Sequence, residues 1–112
     1  MEITMPVDAN DTQNATLTAF QRYIAEIMKE RGFDDETVSQ KFMLLLEEAG
    51  EFAQAARQNA SLAQATDRNA ESVGDAAADV FAILLDICNQ LDIDLEQAFI
   101  QREHKNQTRA WE

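Results

Sequence analysis

The segment Lys41-Phe-Met-Leu-Leu-Leu-Glu47-Glu48-Ala-Gly-Glu51 sets three carboxylates within five residues of an otherwise apolar stretch. On a helix, Glu48 and Glu51 stand about 60° apart and about 4.5 Å along the axis, so their side chains can converge. Glu47 flanks them on the other side, and Lys41 lies two turns before Glu48 on nearly the same face. A second segment, Asp75-Ala-Ala-Ala-Asp79-Val-Phe-Ala-Ile-Leu-Leu-Asp86, repeats the theme. Asp75 and Asp79 are one turn apart, and Asp86 follows two turns later on the same side. If two such helices pack antiparallel, four or five carboxylates face one another. That cluster repels itself unless cations neutralise it. A donor set made only of oxygen suits Mg²⁺ or Mn²⁺ and does not suit zinc. The plain alternative is a solvated acidic face, and a lone Glu-Glu pair would mean no more than that. Two acid-bearing segments in succession give the metal reading its weight.

The elements that must position these acids follow from periodicity. Residues 1–13 mix Pro6 with Asp, Asn and Thr and read as a flexible tail ahead of a single domain, 14–112. Apolar residues at Leu17, Phe20, Ile24 and Ile27 predict a first helix from about Ala15 to Arg31, with Gly32 as its terminator. Asp34 and Asp35 can cap a second helix over about Glu36 to Gln58, with Val38, Phe42, Leu45, Ala49, Phe52 and Ala56 as its apolar stripe. Small polar residues 59–69 read as a loop. A third helix is expected from about Ala70 to Leu91, with core positions Val73, Ala77, Val80, Leu84, Ile87 and Leu91. Asp94 with Gln97 resembles a capping box that opens a fourth helix running to about Thr108. The expectation is an all-α, four-helix chain with an antiparallel hairpin of helices two and three at its centre. So apolar a third helix in so short a chain predicts burial against a second copy, as a homodimer or a homotetramer built as a dimer of dimers.

With 112 residues there is room for one modest core, and 46% hydrophobic content with three Gly and one Pro fits a helical domain. No apolar run approaches the roughly 20 residues of a membrane span, and the N-terminus lacks the pattern of a signal peptide. A cytoplasmic protein with no membrane partner is expected. Nine Lys+Arg against 21 Asp+Glu give a net charge of -12, which argues against nucleic acid as a partner. An acidic chain still binds polyphosphate when metal ions lie between the two sets of negative charge. The lone Cys88 sits in an apolar run and reads as a buried, inert thiol. His104 has Gln101 three residues before it, so no Glu-x-x-His pair of a di-iron bundle is present.

These residues together resemble the MazG-like nucleotide pyrophosphohydrolases. Glu47-Glu48-Ala-Gly-Glu51 matches the EExxE motif of that family, including a Gly before its last Glu. Ala78-Asp79-Val80-Phe81 and Asp92-Ile-Asp-Leu-Glu-Gln-Ala98 resemble its third helix and the start of its fourth. Lys105-Asn106-Gln-Thr-Arg109-Ala-Trp111 resembles its C-terminal basic motif. The likeness spans roughly residues 17–111 and is similar to the small single-domain subtype found in mobile gene cassettes. It implies the four-helix MazG-like fold and hydrolysis of (deoxy)nucleoside triphosphates to monophosphate and pyrophosphate, a house-cleaning of the nucleotide pool. It further implies a Mg²⁺ site from Glu47, Glu48, Glu51 and Asp79. Lys41, Lys105 and Arg109 would hold phosphates, Asn106 the sugar, and Asp86 joins the residues expected to bind substrate.

One position departs from the family pattern. Its second motif is ExxD, and the Glu falls on Ala76 here, one residue after Asp75. Asp75 is expected to take over part of the missing role as a metal ligand, at some cost in activity. The reaction this reading expects is attack of water on the α-phosphorus, with Glu47 or Glu48 orienting or deprotonating the water. Three rivals stand beside it. One is a catalytically impaired nucleotide- or metal-binding relative, and another is a non-enzymatic acidic helical interaction module. The third, within the same enzyme class, is a phosphoribosyl-ATP pyrophosphohydrolase.

Overall fold

The computed structural model describes residues 15–61 and 67–109, so the expected tail over 1–13 lies outside the described residues. Among the described residues four helices follow in order: α1 (Leu17–Glu30), α2 (Val38–Ser61), α3 (Asp67–Gln90) and α4 (Leu95–Thr108). No strand occurs among the described residues. The chain divides into two compact units. One holds α1, the end of α3 from Cys88 and α4; the other spans Asp35–Ile87, that is α2 with most of α3.

Four helix ends in the first unit satisfy part of their own backbone. Thr16 caps α1 by accepting from the Ala19 N–H at 3.0 Å, which removes one of the unpaired amides of a first turn. At the far end Gly32 takes φ +80. The Phe33 N–H then reaches back to the Met28 carbonyl at 2.8 Å and the Gly32 N–H to that of Lys29 at 3.2 Å. That is the paired closure of a Schellman turn. The same closure ends α3: the Ile93 N–H donates to the Cys88 carbonyl at 2.8 Å and the Asp92 N–H to that of Asn89 at 3.3 Å. Here an aspartate, Asp92, supplies the left-handed residue at φ 56. Asp94 caps α4 by accepting from the Gln97 N–H at 3.1 Å, as the sequence predicts. In this unit α1 packs against α4.

In the second unit the cap of α2 is a correction. Asp34 and Asp35 stand ahead of the helix, and Thr37 does the capping. Its N–H donates to Gln40 Oε1 at 2.8 Å, while the Gln40 N–H donates to Thr37 Oγ1 at 3.1 Å. This reciprocal pair satisfies two amides at once, which neither aspartate can match from further upstream. The expected loop over 59–69 is likewise shorter: 59–61 and 67–69 are helical, and 62–66 lie outside the described residues.

Lys41 bonds Asp86 while Glu48 stands beside Asp79, so numbers rise along α2 as they fall along α3 and the two helices run antiparallel. Ile83, Leu85 and Ile87 are buried here. The inward face of α2 keeps Val38 and Leu45 of the expected stripe, both half-buried, and departs from it elsewhere. Lys41 is buried and Glu48 and Ala55 half-buried, whereas Phe42, Ala49, Phe52 and Ala56 are exposed. The run Phe42–Leu46 is apolar on every side of the helix, so periodicity alone leaves the inward face undetermined. On α3, Val73, Ala77 and Val80 are half-buried and Ile87 buried as expected, but Leu84 and Leu91 are exposed. Leu91 falls just past the end of α3, in the turn that leads to α4.

Candidate active site

The acids of α2 meet those of α3 at Glu48. Its carboxyl group is half-buried, and its Oε2 atom is enclosed with no hydrogen-bond partner among the described residues. Burial raises its pKa above the ordinary carboxylate value, and the charge of Glu51, then that of Asp79, pushes the same way. A hydrogen bond with Glu51 and the nearby Glu47 add to the rise. Glu47, Glu51 and Asp79 are themselves exposed and open to solvent. Asp75 is exposed as well, and the carboxylates whose charge acts on Glu48 are Glu51, Asp79 and Glu47.

This donor set, made of carboxylate oxygens alone, matches a divalent cation in kind. An enclosed carboxylate oxygen without a partner, ringed by further carboxylates, is what a hard cation would neutralise. Among the described residues no three Asp, Glu, His or Cys side chains are gathered closely enough to hold an ion as they stand. The residues fit in kind, and exposed Glu47, Glu51 and Asp79 are the ones with freedom to turn inward.

Lys41 and Asp86 lie elsewhere in the same unit. Lys41 Nζ stands 3.1 Å from both carboxylate oxygens of Asp86, with side chains 4% and 11% exposed. Two residues expected to touch substrate are therefore brought onto each other, away from solvent. The spacing of the two segments carried a signal for this pairing, because Lys41 precedes Glu48 by seven residues and Asp86 follows Asp79 by seven.

Lys105 and Asn106 occupy the last turn of α4 in the first unit, Lys105 exposed and Asn106 half-buried. Arg109 follows the helix in extended conformation, ψ 145, so it leaves the helical face that a continuous helix would share with Lys105. Cys88 is buried, and burial pushes its thiol pKa up, which keeps it protonated and inert as expected.

A four-helix chain whose antiparallel hairpin carries EExxE against an aspartate of the next helix falls in the MazG-like all-α nucleoside triphosphate pyrophosphatase superfamily. Within that superfamily the model of the phosphoribosyl-ATP pyrophosphohydrolase family matches residues 15–106, and the chain belongs to this family. The family's activity is that of a pyrophosphohydrolase acting on a nucleotide, a hydrolase of acid anhydrides. No curated protein and no solved structure matches the chain. No described helix is long and apolar enough to cross a membrane.

Proposed function

We propose that the chain is a Mg²⁺-dependent pyrophosphohydrolase that cuts (deoxy)nucleoside triphosphates to monophosphate and pyrophosphate, with Mn²⁺ as an alternative ion. The observation that carries this reading is Glu48, an enclosed and partly unpartnered carboxyl among three further acids. Water attacks the α-phosphorus, the bond to the bridging oxygen breaks, and pyrophosphate leaves with the electron pair. Glu47 or Glu48 is assigned the water's proton, and Glu48 is the one of the two that is enclosed among the other acids. Glu47, Glu48, Glu51 and Asp79 would be the donors for the cation, with Asp75, one turn before Asp79, as a further candidate. When bound, the cation supplies charge neutralisation at the phosphate oxygens. Lys105 and Arg109 are assigned to phosphates and Asn106 to the sugar, while Lys41 and Asp86 shape the site from within the helix pair.

A second reading differs only in substrate: the matched family model supports phosphoribosyl-ATP, in which the same anhydride bond breaks. The deciding experiment is pyrophosphate release from a panel of NTPs, dNTPs and phosphoribosyl-ATP, with Mg²⁺, with Mn²⁺ and with chelator. The first reading expects metal-dependent, equimolar pyrophosphate and monophosphate from at least one simple triphosphate. Turnover of phosphoribosyl-ATP alone would replace it by the second. Nucleoside diphosphate as product, or no cleavage at all, would remove both.

The proposal includes self-association as a homodimer or homotetramer. Its support is the exposure of Phe42, Met43, Leu46 and Phe52 along α2, a run of large apolar side chains that water covers at a cost in a lone chain.

A further inference from the structure

Lys41 and Asp86 are buried within the Asp35–Ile87 unit and joined at 3.1 Å. Seven residues forward from Lys41 on α2 is Glu48, and seven residues back from Asp86 on α3 is Asp79. On antiparallel helices those two steps cover the same distance, about 10.5 Å, and return to within about 20° of the starting face. A contact at one end of the step therefore dictates what meets at the other. The electrostatic contact of Glu48 with Asp79 agrees with that dictate.

Apolar packing does not enforce this register. α2 offers Phe-Met-Leu-Leu-Leu over residues 42–46, and α3 offers Val-Phe-Ala-Ile-Leu-Leu over 80–85. Of the α2 run only Leu45 is half-buried, while Phe42, Met43, Leu44 and Leu46 are exposed, so few large apolar side chains interlock the two helices against a slide by one turn. The same slide strands a buried ammonium and a buried carboxylate, which breaks a pair whose partners have little access to water. Selecting one register among near-equivalent ones is a task for which a single buried polar contact is well suited.

We propose that the Lys41–Asp86 pair is a register lock that holds Glu48 opposite Asp79, and that Lys41 is a positioning residue, not a phosphate ligand. The inference rests on the reading of Glu48 and Asp79 as site residues. Either helix can carry either charge for this purpose. That property separates a lock from a ligand.

The test uses the full chain with two double variants. Lys41→Met with Asp86→Leu removes both charges at similar volume, and Lys41→Asp with Asp86→Lys transposes them. Nuclear Overhauser contacts between methyl groups of α2 and α3 report the register, and titration with Mn²⁺ alone reports the acid cluster. The apolar pair is expected to keep its helical circular dichroism, to show more than one set of cross-helix contacts, and to bind Mn²⁺ at least ten-fold more weakly. The transposed pair is expected to restore one set of contacts and an affinity within three-fold of wild type. A single wild-type register in the apolar pair overturns the proposal. So does a transposed pair that has lost the wild-type register. If the apolar pair does not fold, the transposed pair decides alone. A wild-type chain that releases no pyrophosphate would sink the proposed function and leave this result standing, since register is read without substrate.

Discussion

Replacing Gln21 by Ala removes a side chain that ties α1 to both the end of α3 and the start of α4. Gln21 is 8% exposed, and its amide is fully engaged. Nε2 donates to Asn89 Oδ1 at 3.1 Å and to the Ile93 carbonyl, and Oε1 accepts from the Leu95 N–H at 3.1 Å. Asn89 closes the ring by donating from Nδ2 to the Gln21 carbonyl at 2.9 Å. Three bonds vanish with the side chain, at about 1 kcal/mol each net, and the Ile93 carbonyl and Leu95 N–H lose their partners. The network is only part-buried, so the full penalty of an unpaired buried group does not apply. A loss of about 3 kcal/mol is expected, a large share of the roughly 5–15 kcal/mol available to a small domain. That corresponds to a fall in melting temperature on the order of 15 °C for a chain of about this length. Urea unfolding gives the energy, and hydrogen exchange at the Leu95 amide gives the location, because its partner is lost in the variant. A change below about 0.5 kcal/mol, with Leu95 protection unaltered, would refute the argument that this network fastens the α1–α4 unit.

Two further outcomes follow from single residues. Asp92 occupies a left-handed position at φ 56, which costs a residue with a Cβ, so Asp92→Gly is expected to stabilise by about 0.5 kcal/mol in urea unfolding; a loss would show that its side chain contributes more than its strain. Glu48 has its folded pKa raised above the ordinary 4.5, so in metal-free protein its contribution to stability is present below that value and is lost as pH rises through the raised one. Glu48→Gln lacks that loss, and is expected to exceed wild type in melting temperature at neutral pH and to converge with it at acid pH; parallel curves would show that Glu48 is not crowded.

Caps and turns were legible where a side chain near the helix end has a unique partner. Gly32 and the Asp94–Gln97 pair fall where the sequence predicts them. The Thr37–Gln40 pair was equally present in the sequence but was masked by two aspartates just upstream, which score as caps by type alone. The acid segments and the antiparallel helix pair were legible from spacing. The inward face of α2 was not, because Phe42–Leu46 is apolar all round and the deciding groups, Lys41 and Asp86, are charged residues that a hydrophobicity pattern assigns to solvent. Gln21 was hidden for the same reason: it adjoins the stripe of Phe20 and Ile24, and only the positions of Asn89, Ile93 and Leu95 show that its amide has somewhere to go. Patterns of one helix cannot reveal a polar group whose burial is licensed by another.

The departure at Ala76 can be placed by the same register. Three residues forward from Glu48 is Glu51, and three back from Asp79 is Ala76, so these two stand level across the helix pair. Ala76 is half-buried and Asp75 exposed, which puts the family's missing Glu on the inward side and Asp75 on the outward one. A Glu at 76 would add a further carboxylate beside a group, Glu48, that already has its pKa raised by three acids and by burial. Each added charge there destabilises the ion-free fold and strengthens its attraction for a cation, since both effects are the same repulsion relieved. On the proposed metal-dependent reading, alanine at this position would shift the balance toward a chain that folds without an ion and holds one less tightly. On that reading Asp75, one methylene shorter than Glu and open to water, would restore part of the charge from outside the crowded interior, so Asp75→Asn should weaken Mn²⁺ binding further and Ala76→Glu should strengthen it; equal affinities in all three chains would refute the argument.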